Sequence, residues 1–537
     1  MKTFRTTALI TASCLLAATL AACGANSGDD ASPTGAATGA PSADTAITVG
    51  IATVDHLTPG NQETAYDVLL PLFAPLVTVD QNGNTSLVQA ESIESPDGLT
   101  WTVKLRDGWT FHNGEKVTAD TYINAWNHAA YGPNAWINNF ELAPIAGYAE
   151  MQGEAPAAET LSGLKKVDET TFTIELTAAD RQFPLQLSDA QTAFYPMPAA
   201  AFEDLEAYDV NPIGNGPFQM AAAWDPASQG DIVLEAYPGY AGDKPAISQI
   251  NYKIYLDIAT AYTDALAGTL DVANVAGSKT AVAKEDFGDR FKPLDAPSVD
   301  WLGFNPDDPR FDDIRVRQAF SMAIDRSAVN DAIFSGSQVP ATSLTSPNMP
   351  GNPDGICGQY CEFHPDEAKE LLAAAGGVEG AVEILFVGGW GQEDMFEAFA
   401  AQLSQNLGIE AVATPSTDFA DFQARRDAGQ YALLRGHWGA LYASQQNTLR
   451  AAFTADGLGY DATHYSNPEV DALINAADSA PTLEAAAEGY VKVQERILAD
   501  FPTIPTFANR FLWVTSERID SMPSTQGSPF YAQITLK

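Results

Sequence analysis

Cysteine and histidine are scarce in this chain of 537 residues, four of the first and six of the second. The histidines are scattered without a His-Glu-x-x-His spacing, which excludes the common zinc-protease arrangement. No glycine-rich phosphate loop follows a strand pattern, and no Gly-x-Ser-x-Gly nucleophile elbow occurs. Basic residues are sparse too: 28 Lys and Arg stand against 69 Asp and Glu, a net charge of −41. A surface so acidic repels phosphate backbones and anionic lipid heads, which excludes nucleic acid as a partner. Beyond the first residues no apolar stretch is long enough to cross a membrane. What is present is ordinary globular material, 45% apolar and 18% charged, in a chain too long for one core. Two or more lobes are expected.

The strongest catalytic spacing is Ser162-Gly163-Leu164-Lys165, a Ser-x-x-Lys. It lacks the Lys-Thr-Gly element that accompanies it in penicillin-binding enzymes, since Lys279-Thr280 runs into Ala281. The chain therefore reads as a non-enzyme, with no cofactor and no metal site. The acid bias suits cationic or zwitterionic solutes and, more simply, solubility.

The start, MKTFRTTALITASCLLAATLAAC, places Lys2 and Arg5 before an apolar run from Ala8 to Leu20, the layout of a secretory leader. Its ending, Leu20-Ala21-Ala22-Cys23, resembles the bacterial lipobox. That implies a signal peptide over residues 1–22 and a lipid on Cys23. Residues 23–46 carry Gly, Ala, Ser, Thr and Pro but no large apolar side chain, so they read as a flexible tether. Losing the leader removes Lys2 and Arg5 and no acid, leaving 26 basic and 69 acidic residues, a net of −43. The expectation is a body held on the extracytoplasmic face of a cell membrane. In that oxidising setting the remaining pair in CGQYC, Cys357 and Cys361, reads as a small disulfide closing a loop.

Strand and helix patterns alternate along the body. Leu99, Trp101, Val103 and Leu105 alternate with polar residues as in a half-buried strand, with Asp107-Gly108 and Asn113-Gly114 as turns. Thr118 caps a helix with Tyr122, Ile123, Trp126 and Ala130 on its apolar face. Further strands are expected at Thr171–Leu176, Ile232–Ala236, Ile250–Leu256 and Val382–Val387. Helices are expected through Val316–Ile324, from Pro365 to Gly376-Gly377, through Phe396–Leu407, and over about Leu483–Leu498. This is an α/β body.

One loop has the composition of a binding wall. RGHWGALY, Arg435 to Tyr442, sets two aromatic rings among glycines, with a guanidinium and an imidazole to orient something polar. The same residues also suit a buried strand end.

Four blocks carry a wider resemblance: ESPDGLTWTVKLRDGWTFHNGEKVTAD at Glu94–Asp120, IGNGPFQM at Ile213–Met220, FDDIRVRQAFSMAIDR at Phe311–Arg326 and HPDEAKELLAAAG at His364–Gly376. They resemble the extracytoplasmic solute-binding proteins of ABC importers, family 5, which includes oligopeptide-, dipeptide- and nickel-binding members. The resemblance implies a two-lobed periplasmic-binding-protein-like clamp of the large type, class II, with an extra subdomain. Lobe one would span 47–296 with an insertion at about 66–198, lobe two 297–504, and a C-terminal segment 505–537 would return to lobe one. The hinge would lie near Val299–Asn305 and Phe501–Phe507. Such a receptor captures a peptide or other small solute and delivers it to ABC permease subunits, as a monomer anchored through Cys23.

In peptide binders of this family the wall carries Trp-x-Ala-Asp-Tyr with an arginine three residues ahead. Arg435, Trp438, Ala440 and Tyr442 match, but the aspartate that meets a peptide's α-amino group is replaced by Leu441. A second acidic position falls on Ala74. A buried ammonium needs a carboxylate partner, so either another acid takes over, with Glu63, Asp418 and Asp421 as candidates, or the ligand is a sugar, opine, modified peptide or metal chelate. A surface sensor on the same clamp is the remaining alternative. His437, Trp390 in GGWGQED and Asn305 in WLGFNP complete the candidate contacts, each with a structural alternative: a satisfied histidine, core packing, and a bond within its own turn.

Overall fold

The computed structural model describes residues 45–80, 83–188, 193–228, 230–454, 457 and 465–537. The leader, Cys23 and most of the tether lie outside the described residues.

The alternation in LTWTVKLR becomes the strand Thr100–Leu105, with Trp101, Val103 and Leu105 turned inward. It pairs with Ala90–Glu94 and Thr171–Glu175, and Leu164–Lys166 completes a four-stranded antiparallel sheet. The helix Ala119–Ala130 starts at Thr118, whose backbone N–H donates to Thr121 Oγ1 at 3.1 Å. Its Tyr122 and Trp126 rings lie 5.7 and 5.6 Å from Phe172 of that sheet, a contact that hides most of the apolar face.

A second sheet of eleven strands organises the rest. At one end Val382–Val387 lies parallel to both Ala411–Ser416 and Leu433–Gly439, with the helices Glu393–Leu407 and Phe419–Asp427 as crossovers. At the other end Ala46–Ala52 lies parallel to Gln249–Tyr255 and Val272–Asn274. Between the two ends run the long strands Phe291–Phe304 and Thr503–Thr515, paired antiparallel. Side chains collect into two main cores accordingly. One gathers residues from Ile47 to Val272 with Trp513, Ile519, Tyr531 and Ile534; the other gathers Leu302 to Leu433 with Phe501, Ile504 and Phe507. The molecule is a two-lobed α/β clamp whose lobes share one sheet.

Element ends shift slightly from expectation. The strand at 250 stops at Tyr255, because Asp257 caps the next helix, Ile258–Leu266, by accepting from Ala259 N at 2.9 Å, and Leu256 is left exposed. The last long helix continues to Asp500, and Phe501 then takes a left-handed conformation, φ 51°, to turn the chain into the crossing strand. Cys357 and Cys361 are disulfide-bonded.

Two of the quoted blocks act as structural ties. In IGNGPFQM, Asn215 clasps Ala74 through both backbone groups, at 3.0 and 3.1 Å, while a Cβ on Gly214 would sit 2.0 Å from the Leu72 carbonyl oxygen. Ala74 is thus buried against Asn215. In FDDIRVRQAFSMAIDR the buried Arg326 guanidinium donates to the Pro505 carbonyl at 2.7 Å, to Ser321 Oγ at 2.8 Å and to the Ser321 carbonyl at 3.2 Å. Arg317 donates to the Phe501 and Asp500 carbonyls at 3.0 and 2.6 Å. These arginines hold the point where the chain enters the crossing strand. Replacing Arg326 by Met leaves buried carbonyls without a donor, and a loss of about 2–4 kcal/mol is expected, seen as a lower urea midpoint at unchanged slope.

Candidate functional site

RGHWGALY begins as the strand Leu433–Gly439, paired antiparallel with Ser298–Phe304. Its two glycines differ in purpose. A Cβ on Gly436 would fall 2.0 Å from the Trp301 indole nitrogen on the neighbouring strand, so this position must be bare; around Gly439 nothing is closer than 4.0 Å. Past the strand, Asn447 Oδ1 accepts from Trp438 Nε1 at 2.7 Å and from Leu441 N at 3.1 Å, which fixes the bend. Ser444 then caps the helix Gln445–Phe453, accepting from Gln446 N at 3.1 Å.

The remaining expected contacts sort by environment. Arg435 is buried, and its guanidinium lies 5.4 Å from the centre of the Trp390 ring. Trp390 is 53% exposed and stacks on Phe419 at 5.6 Å. His437 Nδ1 pairs with Asp300 Oδ1 at 2.6 Å. Burial opposes ionisation of Asp300, but His437, Arg435 and Asn509 outweigh it and hold the carboxyl below its ordinary range. Asn305 is buried: its oxygen accepts from Asp307 N of its own turn at 3.0 Å, and its amide ties that turn to the Gly429 and Tyr431 carbonyls at 3.2 and 2.8 Å.

A cavity of about 740 Å³ opens between the first lobe, at Phe140–Pro144 and Thr177–Gln186, and the second, at Leu441–Thr454 and Asn475–Ser479. That volume is in the range of small-molecule sites, about 300–1,000 Å³. Leu441 and Tyr442 line it; Arg435, His437, Trp438 and Trp390 are not among its lining residues. Tyr442 is buried, with its hydroxyl donating to Gln446 Oε1 at 2.9 Å. A neighbouring cavity of about 600 Å³ is lined by Gln182, Ser444 and Tyr490, among others.

The two halves are stitched together at the seam between these cavities. Gln446 Nε2 donates to Asp180 Oδ2 at 3.0 Å, Ser444 Oγ to Gln182 Oε1 at 2.9 Å, and Arg181 N to the Asp478 carbonyl at 2.8 Å. Asp180 is set in place by the Ser95–Gly98 turn: its N–H donates to the Gly98 carbonyl at 2.9 Å, and Arg181 donates to the Ser95 and Pro96 carbonyls. Asp478 is satisfied by Arg450 Nε at 2.9 Å and Tyr490 Oη at 2.5 Å.

None of the three acids named as substitutes for residue 441 lines this cavity. Asp418 caps the helix Phe419–Asp427, Asp421 accepts from Thr417 N at 2.9 Å, and Glu63 is exposed. The acids on its wall are Glu141, Asp180 and Asp478. They were missed because nothing local marks them. Asp180 and Gln446 are 266 residues apart.

Comparison with known proteins adds the following. The profile described as bacterial extracellular solute-binding proteins, family 5 Middle, matches residues 87–460. The oligopeptide-binding protein OppA of Bacillus subtilis is 26% identical over 90% of this chain and 91% of its own. A probable deoxycholate-binding periplasmic protein, YgiS of Escherichia coli, is 25% identical over 86% and 87%. Among solved structures, Haemophilus influenzae OppA in complex with RPPGFSPFR is similar with a TM-score of 0.71 at 21% identity, over 93% of this chain and 100% of that one, a likeness of fold.

Burial pushes the Asp180 carboxyl up to about 6, and Asp478 beside it adds to the rise against the pull of Gln446, Gln182 N–H and Arg450. Since this lies above the ordinary 3.8, the folded chain holds the proton more tightly than the unfolded chain, and stability falls as pH climbs from about 4 through about 6. Asp180→Asn should gain about 1–3 kcal/mol over the parent at pH 7 and match it near pH 4, as read from thermal melts across that range.

Proposed function

Because the chain belongs to the bacterial extracellular solute-binding proteins of family 5, we propose that it is the lipid-anchored receptor of an ABC importer. It captures peptides between its lobes and hands them to membrane permease subunits. The observation that carries this reading is the cavity of about 740 Å³ walled by both lobes and closed at its seam by side-chain hydrogen bonds. A ligand held there touches both halves at once, so its binding energy biases the lobe arrangement; that is how a clamp converts occupancy into a shape a permease can read. The lobes we assign are 47–296 with an insertion at 66–198, 297–504, and the returning segment 505–537. Arg435, His437, Trp438 and Trp390 supply a polar and aromatic rim, and Leu441 and Tyr442 the inner wall.

Capture and release need no bond chemistry. The described residues hold no cluster of three or more His, Cys, Asp and Glu able to bind a metal. The chain works as a monomer, tethered by the lipid on Cys23. A second reading has one observation in its favour: Leu441 makes the wall apolar where a peptide binder of this type carries an acid, which suits a non-peptide solute.

Native mass spectrometry of the body 46–537, before and after denaturation, tests the ligand. A ladder of short peptides is the expected result; one non-peptide mass would overturn the peptide reading and leave the receptor. For the anchor, Cys23→Ala should move the protein from the membrane fraction to the soluble one.

A further inference from the structure

The cavity between the lobes is charged in an unbalanced way. Three carboxylates line it, those of Glu141, Asp180 and Asp478, against one cation, Arg450. Arg450 is committed: its Nε donates to Asp478 Oδ2 at 2.9 Å and its Nη2 to Asn475 Oδ1 at 2.7 Å. Asp180 has no ion pair of its own among the described residues. Its Oδ1 accepts from Gln182 N at 2.7 Å, and its Oδ2 from Gln186 Nε2 at 2.8 Å and Gln446 Nε2 at 3.0 Å, all neutral donors. A half-buried carboxylate served only by neutral donors gains from a cation brought to it.

The cavity marks the site; the acids alone would not. A second feature beside Asp180 also waits for a ligand. Gln182 is 3% exposed, its Oε1 accepts from Ser444, and its Nε2 has no hydrogen-bond partner among the described residues. It lines the adjoining cavity of about 600 Å³, two residues from Asp180 along the chain. An orphaned buried donor of this kind costs about 1–3 kcal/mol until an acceptor arrives. Phe140, Phe194 and Leu441 line the same cavity as Asp180 and supply its apolar surface.

Resting on the reading of this cleft as the solute site, we propose that the ligand is an organic ammonium whose charged group is held by Asp180, from the lobe facing Leu441, with an acceptor oxygen for Gln182 and an apolar part against Leu441. An ammonium donates to the outward side of Asp180, and an oxygen a few bonds away meets Gln182 Nε2 at the seam. The charge recognition has thus moved across the cleft. The residue that reads the cation is also the one that accepts Gln446 from the other lobe, so cation binding and lobe closure act on one carboxylate.

The test offers a mixed tripeptide-to-pentapeptide library with free amino termini, and the same library N-acetylated, to ligand-stripped body 46–537 at pH 7. After desalting, native mass spectrometry measures the retained peptide. Expected is at least tenfold preference of the parent for the free-amine library, with the preference abolished in Asp180→Asn. Equal retention of the two libraries by the parent overturns the inference and leaves the peptide receptor standing. Retention of neither overturns both. A free-amine preference that persists in Asp180→Asn, shown to be folded by its thermal melt, overturns the assignment to Asp180, and Gln446→Ala, which leaves the carboxylate in place, is expected to keep the preference.

Discussion

One hydrogen-bond ladder, between Phe291–Phe304 and Thr503–Thr515, carries the backbone from one lobe to the other. Its amide and carbonyl groups must stay paired through the crossing, because unpaired ones inside the molecule are costly. The pairing is nonetheless interrupted twice. Ala296–Ser298 stand opposite Asn509, and Thr506 is extra on the other strand. Each interruption is answered from outside the ladder: Ser346 Oγ donates to the Ala296 carbonyl at 2.9 Å, Ala440 N to the Pro297 carbonyl at 2.8 Å, and Ala341 N to the Thr506 carbonyl at 3.0 Å. Bulges of this sort bend a strand pair while keeping it continuous. The Ala440 bond also ties the wall loop Ala440–Ser444 directly to the crossing strand.

Carboxylates near the cleft meet three different fates. Asp300 is stabilised by the imidazole and guanidinium of the neighbouring strand, His437 and Arg435. Asp478 has an arginine and a tyrosine. Asp180 has side-chain and backbone amides. The first two carboxylates thus have a cationic or ionisable partner within the protein, and the third has neutral donors only. A chain that carries 69 acids against 28 bases has few cations to spare for internal pairing.

The quoted blocks explain why so much of the fold was legible. LTWTVKLR alternates over a full strand, and the Tyr122–Trp126 stripe follows helical spacing; period and burial coincide, so pattern alone finds them. The arginines of FDDIRVRQAFSMAIDR were visible as a motif, yet their task was not. Arg326 binds the Pro505 carbonyl 179 positions onward, which no local rule predicts. RGHWGALY misled in part. Its ring-and-glycine composition suited both a binding wall and a buried strand end, and both hold in part: Gly436 makes room for Trp301 within the ladder, while the strand stops at Gly439 and leaves Leu441 in the bend that lines the cavity.

Sequence by itself determined the class of molecule: an acidic, two-lobed α/β chain with blocks that resemble solute-binding clamps. These are properties of composition, periodicity and short motifs, which survive without knowledge of the third dimension. Tertiary structure alone decided which acids line the cavity between the lobes. Asp180, Gln182, Gln446 and Asp478 meet because the Ser95–Gly98 turn, the crossing strands and the helix caps bring distant segments to one seam. The worth of a carboxylate depends on what surrounds it once buried, and burial is a property of the folded whole.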